Sequence, residues 1–416
     1  MIPSENAPMR QAWLMVALLW IAAVLNYLDR MILITMRSSI KETIPMTDAQ
    51  FGLLTTVFLV SYGVLSPFGG FVADRFNRSR ILVFSLFGWS AATWLTAHAS
   101  TVNEVLFYRG LLGVCQAAYF PAAAALLMDY HQDKTRSLAN GIHLSGVMVG
   151  SGLGGLGGWI ADRADWTFVF QLFGAIGVVY AGVLFVLLKD RPQAPPAPGE
   201  PTEAVPAEHL GQTLRAIFSR PAYVLALLFW GMMGIASWSF IGWLPSYLQE
   251  EFQMSQGRAG LTALGYIYTA SLVGMVAGGY FADYWTRTNP RGRIYVGVIG
   301  VLAAIPGVLL VGNSSLLPLV LVGMVVYGFT RPFPDASMTP LLCQILDRRH
   351  LATGVGVLNM FAVMVGGASI YIGGVVRDAK INITTMFNWG AVGLLACAFL
   401  LWAVRPRSDA ARPPTP

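Results

Sequence analysis

Two residues of opposite charge, Asp29 and Arg30, stand side by side inside an apolar run that begins near residue 12. A charge placed in the hydrocarbon of a membrane costs about 3 kcal/mol or more, so such a pair marks a functional site. Because neighbouring residues on a helix point about 100° apart, the two side chains cannot serve only each other. We expect one to face a central cavity and the other to meet a neighbouring helix, with Asp29 as the first choice for a protonatable carboxylate.

Further polar side chains fall within other apolar runs. Arg109 and Gln116 are seven residues apart, which is two helical turns, and therefore share one helix face, with Tyr119 beyond them. Arg331 and Asp335 are four residues apart, close enough to pair along a helix, and Asp335 is the second candidate for ion coupling. The arginines inside apolar runs outnumber the aspartates by three to two. This excess of positive charge suits an anionic substrate, because the planar guanidinium matches a carboxylate.

Several of these features have a plainer interpretation, which the sequence leaves open. Arg109 lies near one end of its apolar run and, beside Glu104, fits an interfacial residue that extends toward water. The pair of Arg331 and Asp335 fits a neutralised brace beside a proline kink. Trp238 fits an aromatic belt at the membrane surface as well as a cavity wall, and we place it in the wall.

The composition predicts an integral membrane protein. The chain has 416 residues, of which 55% are hydrophobic and 12% charged, and its mean hydropathy is +0.59. Backbone groups in lipid must be satisfied within each segment, and no alternating barrel pattern is visible, so every span is expected to be a helix. Twelve spans are predicted, at residues 12–35, 50–73, 81–99, 104–128, 137–160, 168–188, 221–247, 258–281, 294–312, 316–341, 351–375 and 384–404.

The net charge of +6 is a topology signal rather than a sign of nucleic-acid binding. If the connectors alternate between the two sides, eighteen of the 27 Lys and Arg residues fall on one side, six on the other and three within spans. Such a bias places both termini in the cytoplasm of a multi-pass protein of the cell (inner or plasma) membrane.

The spans form two sets of six. Residues 1–188 make the N-terminal half, the proline-rich segment 189–220 a cytoplasmic linker without a packed core, residues 221–404 the C-terminal half and residues 405–416 a tail. The run Gly69–Asp74 recurs as Gly278–Asp283, offset by 209 residues. A parallel repeat of six spans is the layout of transporters whose binding site lies between two rocking halves. In the fifth span, Gly146, Gly150, Gly154 and Gly158 recur every fourth residue, which predicts close packing against another helix.

The loop between spans two and three carries a family resemblance. Residues Gly70–Arg80 resemble the signature loop of the major facilitator superfamily, a Gly-x-x-x-Asp-Arg-x-x-Arg pattern, and a weaker copy surrounds Asp283. The resemblance implies the twelve-helix major facilitator fold. A carboxylate among arginines at a helix end can latch the two halves on the cytoplasmic side, although the arginines alone would also fit a topology anchor. The residues assigned to gating are Gly70, Asp74, Arg75, Arg78, Asp283 and Arg331.

Two local motifs narrow the family. The run Asn26–Arg30 and the run Arg109–Ala117 resemble the anion:cation symporters, which include sugar-acid and sialic-acid carriers. This resemblance implies that Arg30 and Arg109 serve the anion or its gate and that Tyr62 lines the site. That family usually has an acidic residue where this chain has Gln116, which leaves Asp29 to carry more of any proton coupling. The same motifs also resemble the spinster-type lysolipid carriers, and the choice between the two is open.

The sequence therefore predicts a secondary transporter of a small organic anion, a carboxylate such as a sugar acid, coupled to a proton or cation. The alternatives are a spinster-like carrier of lysolipids or amphiphiles and, further off, a drug–proton antiporter, whose fifth-span motif has a proline where this chain has Ser151. No metal-ligand spacing or nucleophile set suggests an enzyme, and no cofactor or nucleic-acid partner is expected. We expect a monomer in the bilayer. The candidate substrate-binding residues are Arg30, Tyr62, Arg109, Gln116, Tyr119, Asn359 and Trp238.

Overall fold

The structure, a computed structural model, describes residues 9–131, 135–190 and 210–405. Within these ranges every regular element is a helix. The first nine helices are α1 (Met9–Thr35), α2 (Arg37–Thr43), α3 (Asp48–Arg75), α4 (Arg78–Thr96), α5 (Val102–Gln116), α6 (Tyr119–Tyr130), α7 (Arg136–Leu153), α8 (Leu156–Ala161) and α9 (Trp166–Leu187). The other nine are α10 (Leu210–Phe218), α11 (Pro221–Phe252), α12 (Gln256–Thr286), α13 (Gly292–Asn313), α14 (Leu317–Thr330), α15 (Phe333–Ala336), α16 (Met338–Ile345), α17 (Arg348–Asp378) and α18 (Ile383–Ala403).

The all-helical membrane fold predicted from the sequence is confirmed. Eleven helical segments of the described chain are long and apolar enough to cross a membrane. The remaining predicted span, the third, is the helix α4, which has 19 residues but begins with Arg78 and Arg80 and carries Ser and Thr along its length. Spans four, five and ten are each interrupted, as α5 and α6, as α7 and α8, and as α14, α15 and α16.

The linker between the halves is only partly described. Residues 191–209, which hold most of its prolines, and the tail from residue 406 lie outside the described residues, so the predicted domain boundaries stay predictions. Within the linker, α10 forms a short helix that contacts α11 and α17 and buries Ile217 completely. The last part of the linker is therefore packed against the second half, which the sequence analysis did not expect.

The regularly spaced glycines of the fifth span pack against α1. A side-chain carbon added at Gly146 would lie 2.8 Å from the carbonyl oxygen of Trp20, and one added at Gly150 would lie 2.9 Å from the carbonyl carbon of Val24. Further along, one added at Gly158 would lie 2.6 Å from the carbonyl oxygen of Thr35. Only glycine permits this approach. The close helix packing that the spacing predicts is thus present, and it fixes the helix that carries Asp29 and Arg30.

Among the described residues, the closest backbone contacts between the two halves lie toward one end of the bundles, which we call the far end because it lies opposite the linker. Along α3, Thr56 Oγ1 donates to the carbonyl oxygen of Gly367 on α17 at 2.6 Å, and a side-chain carbon at Gly52 would lie 2.6 Å from that of Ile370. Nearer the linker end of α3, Phe68 is 65% exposed. The helix pair α7–α8 meets α12 in the same way, so the halves diverge toward the linker end.

Candidate functional site

The Arg30 side chain is buried between three helices. The helix α1 presents its guanidinium to α5, where its Nε donates to Gln116 Oε1 at 2.9 Å. The guanidinium carbon also lies 4.5 Å from the ring centre of Tyr27 and 4.3 Å from that of Tyr62 on α3. Aromatic faces stabilise a cation, the more so away from water. Arg30 is thus held in place by neutral groups.

Arg109 is buried near Arg30 and shares the ring of Phe58 with it. Its Nε and Nη1 donate to backbone carbonyl oxygens, those of Leu54 and Asp29, each at 3.4 Å. Its guanidinium carbon lies 4.9 Å from the ring centre of Phe58, and that of Arg30 lies 5.3 Å from the same ring. Arg109 is 2% exposed, so it is not the interfacial residue of the plainer interpretation.

The Asp29 carboxyl group faces Thr93 on the fourth helix. Thr93 on α4 donates to its Oδ2 at 3.3 Å, and the residue is 4% exposed. Among the described residues, no arginine or lysine nitrogen lies within 4 Å of this carboxyl. Asp29 therefore contacts α4, whereas Arg30 contacts α3 and α5.

Several buried polar atoms of this cluster have no partner in the described part of the chain. They are Arg30 Nη2, Arg109 Nη2, Asn26 Nδ2 and Asn26 Oδ1. Buried polar atoms are nearly always hydrogen-bonded, so unpaired donors in one cluster indicate a place for a missing partner. Two of the donors are cationic, and the partner they suit is an anion.

The other first-half candidates take supporting positions. Gln116 is fully buried and its Nε2 donates to the carbonyl oxygen of Asn26 at 3.4 Å, which orients its Oε1 toward Arg30. The Tyr119 hydroxyl donates to the carbonyl oxygen of Leu19 at 3.0 Å, and its ring meets Trp89 edge-on. Tyr119 is 1% exposed. Its observed contacts are those of a residue that joins helices.

A second polar cluster lies in the other half. Arg331 forms an ion pair with Asp335 one turn away, and its Nε donates to Ser237 Oγ on α11 at 2.8 Å. Tyr268 on α12 interacts electrostatically with Arg331, and its hydroxyl lies 3.9 Å from Met31 Sδ on α1. Tyr268 therefore stands between the two polar clusters and touches both halves.

Two predicted residues stand apart from these clusters. Trp238 packs on α17, where a side-chain carbon added at Gly366 would lie 2.5 Å from its Cδ1. Asn359 is exposed on α17. No hydrogen bond or ring contact of the described residues joins either of them to Arg30.

Of the residues assigned to gating, Arg331 belongs to the second polar cluster, and the others lie in the two signature loops at the linker end, where the contacts of the described side chains stay within one half. Arg78 pairs with Asp129 within the first half, and Asp283 pairs with Arg293 within the second at 2.8 Å. Arg75 lies over Phe71, a neighbour on its own helix, at 4.1 Å. The Asp74 side chain lies outside the described part of the structure, and Gly70 faces Pro121 of α6. The latch between halves therefore stays a prediction.

Sequence reasoning missed Tyr27, Phe58, Ser237 and Tyr268. Phe58 precedes Tyr62 by one helical turn, so the face that Tyr62 shares could have indicated it. Tyr27 lies within the run Asn26–Arg30 that carries the family resemblance, but it was not chosen as a site residue. No signal in the sequence marks Ser237 or Tyr268, because their roles depend on how helices from distant parts of the chain meet.

Two bundles of membrane helices, each with buried charged side chains, are the layout of a transporter with two rocking halves. Residues 19–371 match the Major Facilitator Superfamily, and the chain belongs to that family. The resemblance predicted from the signature loop is thereby confirmed.

Relatives of two kinds are similar to this chain. The sphingosine-1-phosphate transporter SPNS2 of Xenopus tropicalis is 25% identical over 410 residues, covering 92% of this chain and 78% of the relative. The spinster homolog 1 of the same species is 25% identical, covering 71% of this chain and 59% of the relative, so the chain spans less than two thirds of that protein. The hexuronate transporter of Bacillus subtilis (strain 168) is 27% identical, covering 67% of this chain and 66% of the relative. Both resemblances found in the sequence are confirmed.

The fold also matches a solved structure. A bacterial homolog of the human lysosomal transporter spinster, in an inward-facing and occupied conformation, aligns over 99% of this chain and 100% of its own with a TM-score of 0.78 and 20% identity. At that identity the match establishes the fold.

Proposed function

We propose that this protein moves a small organic anion across the cell membrane by alternating access, coupled to a proton or cation. A sugar acid is the proposed substrate class. The observation that carries the proposal is the pair of buried guanidinium groups that share Phe58, each with an Nη2 that has no partner among the described residues. A carboxylate has two oxygens that could accept from such donors, and charge-assisted bonds of this kind are about twice as strong as neutral ones.

Gln116 supports an anion in a second way. As a neutral acceptor it orients Arg30 without cancelling its charge. A substrate carboxylate would form a stronger bond to the guanidinium than this amide does, and could therefore replace it. The anion:cation symporters usually have an acidic residue at the position of Gln116. With glutamine there, Arg30 would be available to bind substrate, and Asp29 would have to bind any coupled proton.

The names of the relatives agree with an anionic cargo. One relative is a hexuronate transporter and another a sphingosine-1-phosphate transporter. A hexuronate carries a carboxylate and sphingosine-1-phosphate a phosphate, and guanidinium groups bind both anions. Because Arg30 and Arg109 are both buried, we favour the smaller, water-soluble hexuronate as the model for the substrate.

The charge bias of the connectors favours an orientation with the linker and both termini in the cytoplasm. With that orientation, the far end faces outward, and the halves are closed outside and apart inside. The conformation would be the one that exchanges substrate with the cytoplasm. We propose that the protein works as a monomer, since each chain contains both halves.

A ligand screen tests the substrate class directly. Purified protein would be unfolded thermally in the presence of glucuronate, glucose or sphingosine-1-phosphate. Ligand binding to the folded state stabilises it, by about 2.7 kcal/mol when the ligand concentration is 100 times the dissociation constant. We therefore expect glucuronate to raise the Tm and uncharged glucose to leave it unchanged. A shift with sphingosine-1-phosphate alone would establish the lipid carrier instead, and equal shifts with glucose and glucuronate would contradict an anion site.

Asp29 is the proposed coupling carboxyl, and Asp29→Asn tests it. Asparagine keeps the shape of the side chain and its contact with Thr93 but cannot bind or release a proton. In proteoliposomes, we expect the variant to lose accumulation driven by a pH gradient and to keep exchange of labelled for unlabelled substrate, because exchange needs no net proton movement.

The matched control is Thr93→Val, which removes the hydroxyl donor and leaves the carboxyl. It should retain gradient-driven accumulation. If Asp29→Asn accumulates substrate with an unchanged pH dependence, Asp29 is not the coupling group, and Asp335→Asn becomes the variant to measure.

A further inference from the structure

A short motif occurs four times in the chain. Gly-Gly-x-x-x-Asp is found at residues 69–74, 157–162, 278–283 and 373–378. The first and third copies lie at the linker end, whereas the second and fourth end α8 and α17 at the far end, where the two halves meet. In the structure, the aspartate of each far-end copy accepts backbone hydrogen bonds from the first turn of a helix in the opposite half.

The copy on α17 caps the first turn of α3. Asp378 accepts hydrogen bonds from the backbone nitrogens of Asp48 and Ala49, each at 2.9 Å. The next backbone nitrogen, that of Gln50, donates to Thr47 Oγ1 at 3.1 Å. The first three amides of α3 are thus satisfied, the first two by a carboxylate from the opposite half and the third by the helix's own capping residue.

The copy on α8 caps α12, again with one acceptor from the opposite half and one from the helix's own capping residue. Asp162 Oδ2 accepts from the backbone nitrogen of Gly257, the second residue of α12, at 2.8 Å. The third amide, that of Arg258, donates to the local capping residue, Ser255, at 3.4 Å. Here the carboxylate comes from the first half and the helix from the second, so the two contacts cross the interface in opposite directions.

The glycines of the motif let the helices come this close. A side-chain carbon added at Gly374 would lie 2.6 Å from Ala49 Cα, and one added at Gly158 would lie 2.9 Å from the carbonyl oxygen of Gln256. Both glycines stand one turn before their aspartate, on the same face. Each copy therefore presents a bare backbone and a carboxylate to the first turn of the opposite helix.

The surroundings of the two caps differ in charge. Asp48, beside the first cap, accepts from Arg37 at 2.5 Å, Lys41 at 2.6 Å and Arg377 at 2.8 Å. Beside the second cap, Gln256 instead exchanges neutral hydrogen bonds with Ser39 at 3.0 Å and 2.8 Å. One cap sits in an ionic network and the other in an amide network.

We propose that Asp162 and Asp378 are a pair of exchanged helix caps that hold the far end closed, and that both break when the far end opens. Separating the halves would leave the first two amides of α3 and the second amide of α12 without their carboxylate acceptors, at the ends where helix dipoles favour negative charge. Water would replace them less favourably, so the caps stabilise the closed state against the open one. The inference rests on the transporter function proposed above, but not on the identity of the substrate.

The test measures opening at the far end by cysteine labelling. In a background with Cys115, Cys343 and Cys397 replaced by serine or alanine, Thr56→Cys places a thiol between α3 and α17, where Thr56 is 9% exposed. Its reaction rate with a water-soluble maleimide reports how often these helices separate. We expect Asp378→Ala and Asp162→Ala each to raise the rate about two- to tenfold, the range that loss of one helix cap predicts, and the double variant to raise it further.

Asp190→Ala is the matched control. Asp190 accepts from the backbone nitrogen of Ser79, the second residue of α4, at 2.8 Å, while Asn77 accepts from the third at 2.9 Å. This is the same cap made within one half, so its loss should lower Tm but leave the labelling rate unchanged.

Unchanged labelling in Asp162→Ala, Asp378→Ala and the double variant would overturn the proposal, and so would an equal rise in Asp190→Ala. If the alanine variants do not fold, Asp162→Asn and Asp378→Asn keep the side-chain volume and one acceptor, and a smaller rise is expected from them. Since labelling needs no substrate, this outcome is independent of the ligand screen.

Discussion

Arg30→Ala is expected to weaken glucuronate binding about 100-fold. The variant removes a buried guanidinium and its unpaired Nη2, and a hydrogen bond to a charged group contributes up to about 3 kcal/mol. Each 1.4 kcal/mol, approximately, changes a dissociation constant tenfold. Titration calorimetry of the purified protein would measure the change, with the thermal-shift response to glucuronate lost in parallel.

Two companions make this result specific to the position. Arg258→Ala removes one positive charge from an exposed residue near the far end and should leave binding unchanged. Gln116→Glu keeps Arg30 but offers it an internal carboxylate, so it should weaken binding at neutral pH and recover it under acid conditions, where the glutamate is protonated. Equal affinities in Arg30→Ala and Arg258→Ala would contradict a substrate role for Arg30.

Gly150→Leu is expected to prevent stable folding. A side chain at this position would overlap the backbone of Val24, so α7 would have to move away from α1. Overpacking costs about 1–3 kcal/mol where a core can adjust, and more where the obstacle is backbone. The helix that would lose this packing, α1, carries Asp29 and Arg30, so any folded fraction should also bind glucuronate poorly.

The control is Gly141→Leu on the same helix. A side-chain carbon at Gly141 meets nothing within 4 Å, and leucine has the better helix propensity, by somewhat less than about 1 kcal/mol. In thermal unfolding, Gly141→Leu should have an unchanged or higher Tm. In size-exclusion chromatography, Gly150→Leu should elute as aggregate. Equal stabilities would show that α1 and α7 are not held as closely as their glycines indicate.

The residues of the first-half cluster could be identified in the sequence because burying a polar group in a membrane costs free energy. Asp29, Arg30, Arg109 and Gln116 could be chosen because polar groups within apolar runs are expensive, and that expense is visible in the chain alone. The spacing places Phe58 on the same helix face as Tyr62, but it does not show what the Phe58 ring contacts. Phe58 is an ordinary apolar residue of α3, and only the packing of α3 beside α1 and α5 places its ring against both guanidinium groups.

The far-end caps show a different limit. The four Gly-Gly-x-x-x-Asp copies are readable in the sequence, and two of them were noticed there as a repeat. What could not be read is that Asp378 lies at the start of α3 and Asp162 at the start of α12, more than 300 and about 95 residues away along the chain. Which of these distant helices come into contact depends on how the two halves are tilted against each other.

By itself, the sequence determined that the chain enters a membrane, where its helices run and which charges they bury, because hydrophobic length and the cost of a buried charge are local properties. Only the tertiary structure decided what each charge meets. In it, Asp29 contacts Thr93 and Arg30 contacts Gln116. The two halves are in contact at the far end and diverge toward the linker end. Those outcomes depend on contacts between helices of both halves, and such contacts follow from packing geometry rather than from any single segment.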